Sequence, residues 1–139
     1  MRNKLTIGRL EKVDFPEFSI HGILAKIDTG AYTSSLHCIN IREKENQLFF
    51  ELVHRKGDQQ LSTFFQTGDY YQKKIRSSNG KTQLRYIIKT PIVILGKKYK
   101  TEFSLTDRSR MKYPVLLGRK VLKDRFLVDV SQKYISEEL

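Results

Sequence analysis

Asp28 is the residue of this chain whose type and position most directly suggest chemistry. It follows the largely apolar run Gly22–Ile27 and precedes Thr29, Gly30 and Ala31. The run predicts a strand that delivers one carboxylate into a tight turn, where small neighbours let backbone and hydroxyl groups approach it. An ordinary turn after a strand can have the same Asp-Thr-Gly sequence, so the tetrapeptide by itself leaves both interpretations open.

Hydrolytic chemistry at such a turn needs a second carboxylate. A single aspartate is ionised at neutral pH and is poor at both giving and taking a proton. Two aspartates about 3 Å apart cannot both ionise easily, so one holds a proton and the pair titrates as a unit. The ionised member can then take a proton from a bound water, while the protonated member donates to a peptide carbonyl.

A second motif lies far downstream. Val115–Leu117 followed by Gly118, Arg119 and Leu122 predicts an apolar strand, a glycine and a helix of one or two turns. Asp-Thr-Gly-Ala, a long β-rich stretch and this Gly-Arg motif, in that order, resemble the retropepsin family of aspartic peptidases. The resemblance spans roughly residues 20–130 and implies that the Gly-Arg segment packs beside the Asp28 turn.

A closer resemblance rests on three motifs in order. Asp28–His37, Arg76–Gly80, and Leu105–Ser109 with Tyr113–Arg119 are similar to the motifs of a bacterial family labelled ATP-dependent zinc proteases. Members of that family often occur beside, or are named with, ATP-grasp peptide ligases. The resemblance therefore implies a functional link between this chain and such a ligase.

The retropepsin resemblance also implies how the second carboxylate is supplied. The chain has one Asp-Thr-Gly and is too short for two fused lobes. A second copy, related by a two-fold axis, would bring Asp28 against its own counterpart. Thr29 would then bridge the two loops by hydrogen bonds, so the implied active species is a homodimer.

A cover over the site is predicted from five consecutive residues, Arg76, Ser77, Ser78, Asn79 and Gly80. Asn-Gly is a strong two-residue turn signal, and both flanks can form strands, so the segment suits the tip of a hairpin flap. Its polar and basic character indicates a polar or acidic substrate rather than an apolar peptide. A plain surface hairpin is the alternative.

Two further positions carry open alternatives. Asp107 could supply the second carboxylate within one chain, or form an ion pair or turn cap with Arg108 or Arg110. Tyr32 stands where many retropepsins have an acidic partner for the Gly-Arg arginine. Arg119 is therefore expected either to pair with Asp107 or to point towards the substrate.

Neither zinc nor ATP is supported by the residues. The three histidines, His21, His37 and His54, are well separated, and no His-Glu-x-x-His occurs. His37 is expected to be a structural histidine with its hydrogen bonds satisfied, and the alternative is that it lies within reach of the site and contacts substrate. The phosphate-binding Gly-x-x-x-x-Gly-Lys-Ser/Thr motif is also absent. We expect no metal and no cofactor.

Length, charge and cysteine content limit the other kinds of protein that this chain could be. The chain has 139 residues, the size of a single domain, and a net charge of +11, of which +10 lies in residues 51–139. This bias suits an acidic partner, but nucleic-acid binding is not expected because no motif for it occurs. No apolar stretch is long enough to span a membrane. Cys38, the one cysteine, is expected to be buried, and with no signal peptide the prediction is cytoplasmic.

Strand signals dominate the chain. They fall at residues 22–27, 48–53, 61–65, 84–89, 91–95, 99–105, 115–117 and 126–130, with a turn at 56–58 and a hairpin turn at Gly96-Lys97. Pro91 and Pro114 are each expected at the start of a strand. Helical periodicity is convincing only at residues 119–124. We predict one all-β, retropepsin-like closed barrel over residues 1–139, with one short C-terminal helix.

Together these observations favour an aspartic-type endopeptidase that acts on a peptide or amide bond through Asp28. The alternative is a non-catalytic interaction domain that keeps the barrel and binds an acidic peptide through its basic half, because a fold does not establish an activity.

Overall fold

The computed structural model describes residues 3–76, 79–107 and 112–138. Strands make up most of this part of the chain, and its one α-helix is a single turn, which confirms the predicted fold class. The helical elements are α1 (Arg119–Leu122) and two 3-10 helices (Pro16–Phe18 and Ile135–Glu138). The strands are β1 (Leu5–Gly8), β2 (Leu10–Phe15), β3 (Ile20–Ile27), β4 (Ser34–Lys44), β5 (Gln47–Lys56), β6 (Gln59–Thr67), β7 (Tyr71–Arg76), β8 (Thr82–Ile94), β9 (Lys97–Thr106), β10 (Val115–Leu117) and β11 (Phe126–Asp129).

Six strands close into a barrel in the order β10-β3-β2-β8-β9-β4, and β4 returns to β10. The short strand β10 runs parallel to β3 and antiparallel to β4, so it lies between two strands that follow each other in the chain. β5 and β6 extend the sheet beyond β4, and β1 pairs with β11 in a separate parallel ladder.

The barrel interior is filled by aliphatic and aromatic side chains. Phe15 and Phe103 are fully buried and meet edge to face, with ring centroids 5.4 Å apart. Full burial of such a side chain contributes about 1.5–3 kcal/mol of transfer free energy. Cys38 is also fully buried, as predicted, and burial raises the pKa of its thiol far above the usual range.

Several local predictions need correction. The signals at 84–89 and 91–95 belong to one 13-residue strand, β8, so Pro91 lies inside a strand rather than at its start. On the side of β8 that faces away from β9, the ladder partners are β7 at residues 82–87 and β2 at Val93. Pro91 lies between these two ladders, so the strand tolerates its missing N–H on that side. The following hairpin turn is Leu95-Gly96, both with positive φ, one residue earlier than predicted.

Strands β1, β2 and β4 were missed by the sequence analysis, and β2 carries a buried acid. Glu11 has no exposed surface, and its carboxylate accepts backbone N–H bonds from Gly8 at 2.9 Å, Ile135 at 3.2 Å and Ser136 at 3.0 Å. Glu11 therefore fastens the C-terminal segment to the barrel. Within the described residues, no helix is both long enough and apolar enough to cross a membrane.

Candidate active site

The turn that carries Asp28 is shaped by the insertion of β10. β3 ends at Ile27, β4 begins at Ser34, and β10 pairs with both. The chain between them must therefore arch over the end of β10. The Asp28 N–H donates to the Leu117 carbonyl at 2.9 Å, which fixes the direction in which the backbone leaves the strand.

Gly118 allows helix α1 to approach this turn closely. The backbone N–H groups of Arg119 and Lys120 donate to the carbonyls of Ala31 (2.8 Å) and Tyr32 (3.0 Å). A Cβ atom at Gly118 would lie 2.7 Å from the Ala31 oxygen and 2.9 Å from the Tyr32 oxygen, both backbone atoms. The Gly-Arg segment thus packs beside the Asp28 turn, as the family resemblance implies.

Asp28 itself is half-buried, whereas Thr29 and Gly30 are exposed. Its Oδ1 accepts a hydrogen bond of 3.1 Å from the Gly30 N–H, so the carboxylate is oriented by its own turn. Gly30 has neither a positive φ nor a crowded Cβ position, because a methyl group there would meet only Asp28 Oδ1, at 3.4 Å. The fold of one chain therefore does not require glycine at this position.

Asp28 lies on the wall of a cavity of about 280 Å³. The cavity is bounded by the turn on one side and by β7, β8 and β9 on the other. Two cationic side chains, Arg76 and Arg85, share this lining with Asp28, and Asp28 is its one acidic residue among those described. The space next to the carboxylate is therefore cationic.

The predicted cover corresponds to the β7–β8 hairpin. Ile75 and Arg76, at the end of β7, line the Asp28 cavity. The predicted two-residue Asn79-Gly80 turn is wrong, because Arg76 pairs with Thr82 and the connection is residues 77–81. Asn79 and Gly80 are exposed in this connection, while Ser77 and Ser78 lie outside the described residues.

Arg119 supports the turn rather than pairing with Asp107. Its Nη1 donates to the Thr29 carbonyl at 3.0 Å, and its guanidinium lies over the Tyr32 ring, 5.8 Å from the centroid. Tyr32, which replaces the acidic partner of many retropepsins, thus contacts the arginine through its ring. Arg108 lies outside the described residues.

Asp107 lies on a different cavity, of about 850 Å³, together with His37 and His54. The structure therefore does not bring Asp107 to the Asp28 cavity. Among the residues that the structure describes, the buried Nε2 of His37 has no hydrogen-bond partner, contrary to the expectation of a satisfied histidine. Burial lowers the pKa of His37, and the nearby Asp107 opposes this. No three His, Cys, Asp or Glu side chains of the described ranges converge as a metal site.

Sequence reasoning missed Arg85 as a residue of the Asp28 cavity. Arg85 donates to Thr106 Oγ1 at 3.4 Å and to Gln83 Oε1 at 3.3 and 3.2 Å, and both Arg85 and Thr106 line the cavity. In the sequence it is one of many basic residues in strands. Only the register of β8 against β9, in which Ile87 faces Ser104, brings it to the site.

A closed six-stranded barrel whose aspartate turn packs on a Gly-Arg segment defines the retropepsin-like class. Residues 6–138 match the family described as RimB-like, retropepsin-like aspartic endopeptidase RimB, and the chain belongs to that family.

Besides matching the family, the chain is similar to proteins named as ligases and to a solved structure. Proteins named probable alpha-L-glutamate ligase are 35% identical over 136 residues in Shewanella pealeana and 34% identical over 130 residues in Desulfotalea psychrophila. The matches cover 95% and 91% of this chain, which spans only 30% and 28% of the relatives' length. A crystal structure of a protein of unknown function from Legionella pneumophila, 26% identical, superposes with a TM-score of 0.72 over 96% of this chain and 99% of that one.

Proposed function

We propose that this chain is an aspartic-type endopeptidase that hydrolyses a peptide or amide bond through Asp28. The observation that carries the proposal is the position of Asp28 on the wall of a cavity beneath a hairpin, on a turn fixed by β10 and α1. Membership of a family described as aspartic endopeptidases supports the same chemistry.

The second carboxylate is proposed to come from Asp28 of a second copy. The lining of the cavity offers no other acid in the part of the chain that is described. The turn is accessible to a partner, since Thr29 and Gly30 are exposed and Tyr32 is 56% exposed. A bare backbone at Gly30, which one chain does not need for its own fold, would let two turns approach each other.

The reaction follows from a dyad that holds one proton. The ionised Asp28 takes a proton from a water held between the two carboxylates, and the water oxygen attacks the scissile carbonyl carbon. The protonated Asp28 of the other copy donates its proton to the carbonyl oxygen, which gives a neutral tetrahedral intermediate. The first Asp28 then gives the proton it took to the amide nitrogen, and the C–N bond breaks. A hydroxyl proton of the intermediate returns to the other Asp28, which releases an amine and a carboxylic acid and restores a dyad with one proton.

The proposed substrate is an acidic peptide. Arg76 and Arg85 lie on the same cavity as Asp28, and a guanidinium recognises a carboxylate by charge and by paired hydrogen bonds. The relatives named probable alpha-L-glutamate ligase suggest that the acidic residues are glutamates. The family resemblance implies that this domain works with an ATP-grasp ligase. Hydrolysis at this site would then break the kind of bond that such a ligase forms.

The test compares wild type with Asp28→Asn on acidic and neutral peptides at several pH values. Asparagine keeps the size of the side chain but cannot exchange protons, so turnover should vanish while folding is retained. Activity of the wild type should be highest at mildly acidic pH, where the pair holds one proton. Asp58→Asn, at an exposed turn between β5 and β6, is the matched control and should cleave normally. Undiminished cleavage by Asp28→Asn would refute the proposal.

A non-catalytic acidic-peptide-binding domain is the second candidate, and the cationic cavity favours it equally. It predicts that wild type cleaves nothing and that Asp28→Asn binds acidic peptides as well as wild type does. Arg76→Ala should weaken that binding in a salt-dependent way. Absence of cleavage together with such binding would select this second function.

A further inference from the structure

Glu102, on β9, joins two elements that meet at the candidate active site. Its Oε2 accepts a hydrogen bond from the Tyr71 hydroxyl, and its Oε1 accepts one from the Lys120 ammonium. The Glu102 side chain is only 18% exposed, so this contact is partly shielded from water. One carboxylate oxygen thus contacts β7 and the other contacts α1.

One of these elements supports the Asp28 turn. Lys120 is the second residue of α1, and its backbone N–H donates to the Tyr32 carbonyl at 3.0 Å. Its neighbour Arg119 donates through its side chain to the Thr29 carbonyl. The first two residues of α1 are therefore hydrogen-bonded to the turn backbone on both sides of Gly30.

The other element is the cover hairpin, which is held on one side only. β7 pairs with β8, and no other ladder of the described residues includes it. β8 joins β9 only from Ile87 onwards, so Thr82–Tyr86 and β7 form a two-stranded ribbon beyond the barrel. Such ribbons twist and bend readily. Tyr71 pairs with Ile87, at the base of the ribbon.

The contact is charged over the pH range in which a carboxylate dyad works. The hydrogen bond from Lys120, followed by that from Tyr71, lowers the pKa of Glu102. The hydrogen bond to Glu102 raises the pKa of Tyr71 to about 12. Glu102 therefore stays an acceptor and Tyr71 stays a donor at mildly acidic and neutral pH.

We propose that Glu102 is a positioning residue that holds the base of the cover hairpin against the helix supporting the Asp28 turn. By fixing this base, it sets how closely Ile75 and Arg76, at the far end of β7, approach Asp28. The contact itself is independent of any reaction, whereas its effect on catalysis rests on the proposed peptidase function.

The test uses backbone hydrogen exchange of the full chain, which requires no catalysis. Glu102→Ala removes both acceptor oxygens, and Tyr71→Phe removes the hairpin side while keeping the Glu102–Lys120 pair. We expect each variant to speed exchange severalfold in residues 71–76 and 82–86, and the double variant to exchange no faster than either single one. Glu137→Gln, which removes the exposed ion pair of Lys12 and Glu137 (2.7 Å), is the control and should leave the hairpin unchanged.

Cleavage kinetics give a second readout. Both variants should raise KM for an acidic peptide several-fold more than they lower kcat, because the hairpin bears Arg76 and not the reacting carboxylate. Exchange in the hairpin that equals wild type, or that rises uniformly over the whole barrel, would overturn the proposal. A wild type that cleaves nothing would end the proposed function, yet the exchange result would still decide the role of Glu102.

Discussion

Gly118 and Gly30 belong to the same small region but are glycines for different reasons. A Cβ atom at Gly118 would press on two backbone carbonyl oxygens, at 2.7 and 2.9 Å, and a backbone cannot swing aside as a side chain can. A Cβ atom at Gly30 would make one ordinary contact with the Asp28 carboxylate. Gly118 is thus needed by the fold, whereas Gly30 is available to whatever approaches the turn from outside.

We predict that Gly118→Ala lowers the free energy of unfolding by about 2 kcal/mol, the usual cost of overpacking a rigid site. Gly30→Ala, its matched control, should leave the unfolding free energy within about 0.5 kcal/mol of wild type. Urea denaturation measures both. A Gly118→Ala variant as stable as wild type would show that α1 can move away from the turn, contrary to the contacts described.

The residues that sequence could identify are those whose role is local. Asp28 ends an apolar strand, and Gly118-Arg119 opens a helix, so short patterns reveal both. Arg85 and Glu102 could not be found in this way, because their roles depend on which strands are neighbours. In the sequence each is an ordinary charged residue of a half-buried strand, and only the β8–β9 register brings them towards the site.

Among the elements, β2 has a role beyond closing the barrel, because its Glu11 holds the C-terminal segment. The Tyr134 N–H donates to the Leu10 carbonyl at 2.8 Å, and the next two N–H groups donate to the buried Glu11 carboxylate. Removing the carboxylate would leave the buried Gly8 N–H and two partly buried N–H groups without this acceptor, and an unsatisfied buried group costs about 1–3 kcal/mol.

We predict that Glu11→Ala lowers the unfolding free energy by about 3 kcal/mol and releases residues 132–137 to rapid hydrogen exchange. Glu137→Ala is the control. Both partners of its ion pair with Lys12 are exposed, so the substitution should lower the unfolding free energy by less than about 1 kcal/mol. Equal effects of the two substitutions would contradict the anchoring role of Glu11.

The link between α1 and β9 should show itself in the pH dependence of stability. A carboxyl group whose pKa is lower in the folded protein adds stability above its unfolded-state value, here 4.5, and loses it as the pH falls through the folded value. We predict that the free energy of unfolding of wild type exceeds that of Glu102→Gln by about 1 kcal/mol or less near pH 7. This difference should shrink steadily below pH 4.5. Denaturation of both proteins from pH 7 to pH 3 measures it, and a difference that grows on acidification would contradict it.

At this scale the sequence analysis predicted most of the strands but missed β1, β2 and β4. β1 is only four residues long, and β2 mixes apolar residues with Glu11, Lys12 and Asp14, which weakens the alternation. The burial of Glu11 also runs against any pattern rule. In β4 the pattern is interrupted by a register shift between Ile39 and Arg42. β8 was divided at Thr90-Pro91, because proline usually marks a strand boundary. In the structure the strand continues through Pro91, because the partner of β8 changes there from β7 to β2.

For the whole molecule, the central prediction is that activity depends on protein concentration. If two Asp28 turns must meet, specific activity should fall steeply on dilution below the dimer dissociation constant. Sedimentation at the same concentrations should show the dimer dissociating over the same range. A monomer that cleaves acidic peptides at full specific activity would refute the shared site, and the second carboxylate would then have to come from within one chain.

The position of β10 between β3 and β4 also constrains how this protein can be made. Asp28 is synthesised about 90 residues before Leu117 and Arg119, which shape its turn. Until residues 115–119 have been synthesised, the two strands on either side of the turn lack the strand that belongs between them. A nascent or truncated chain that ends before Val115 therefore carries the aspartate without the residues that shape its turn, so the hydrolytic activity proposed for this turn cannot arise before the barrel closes.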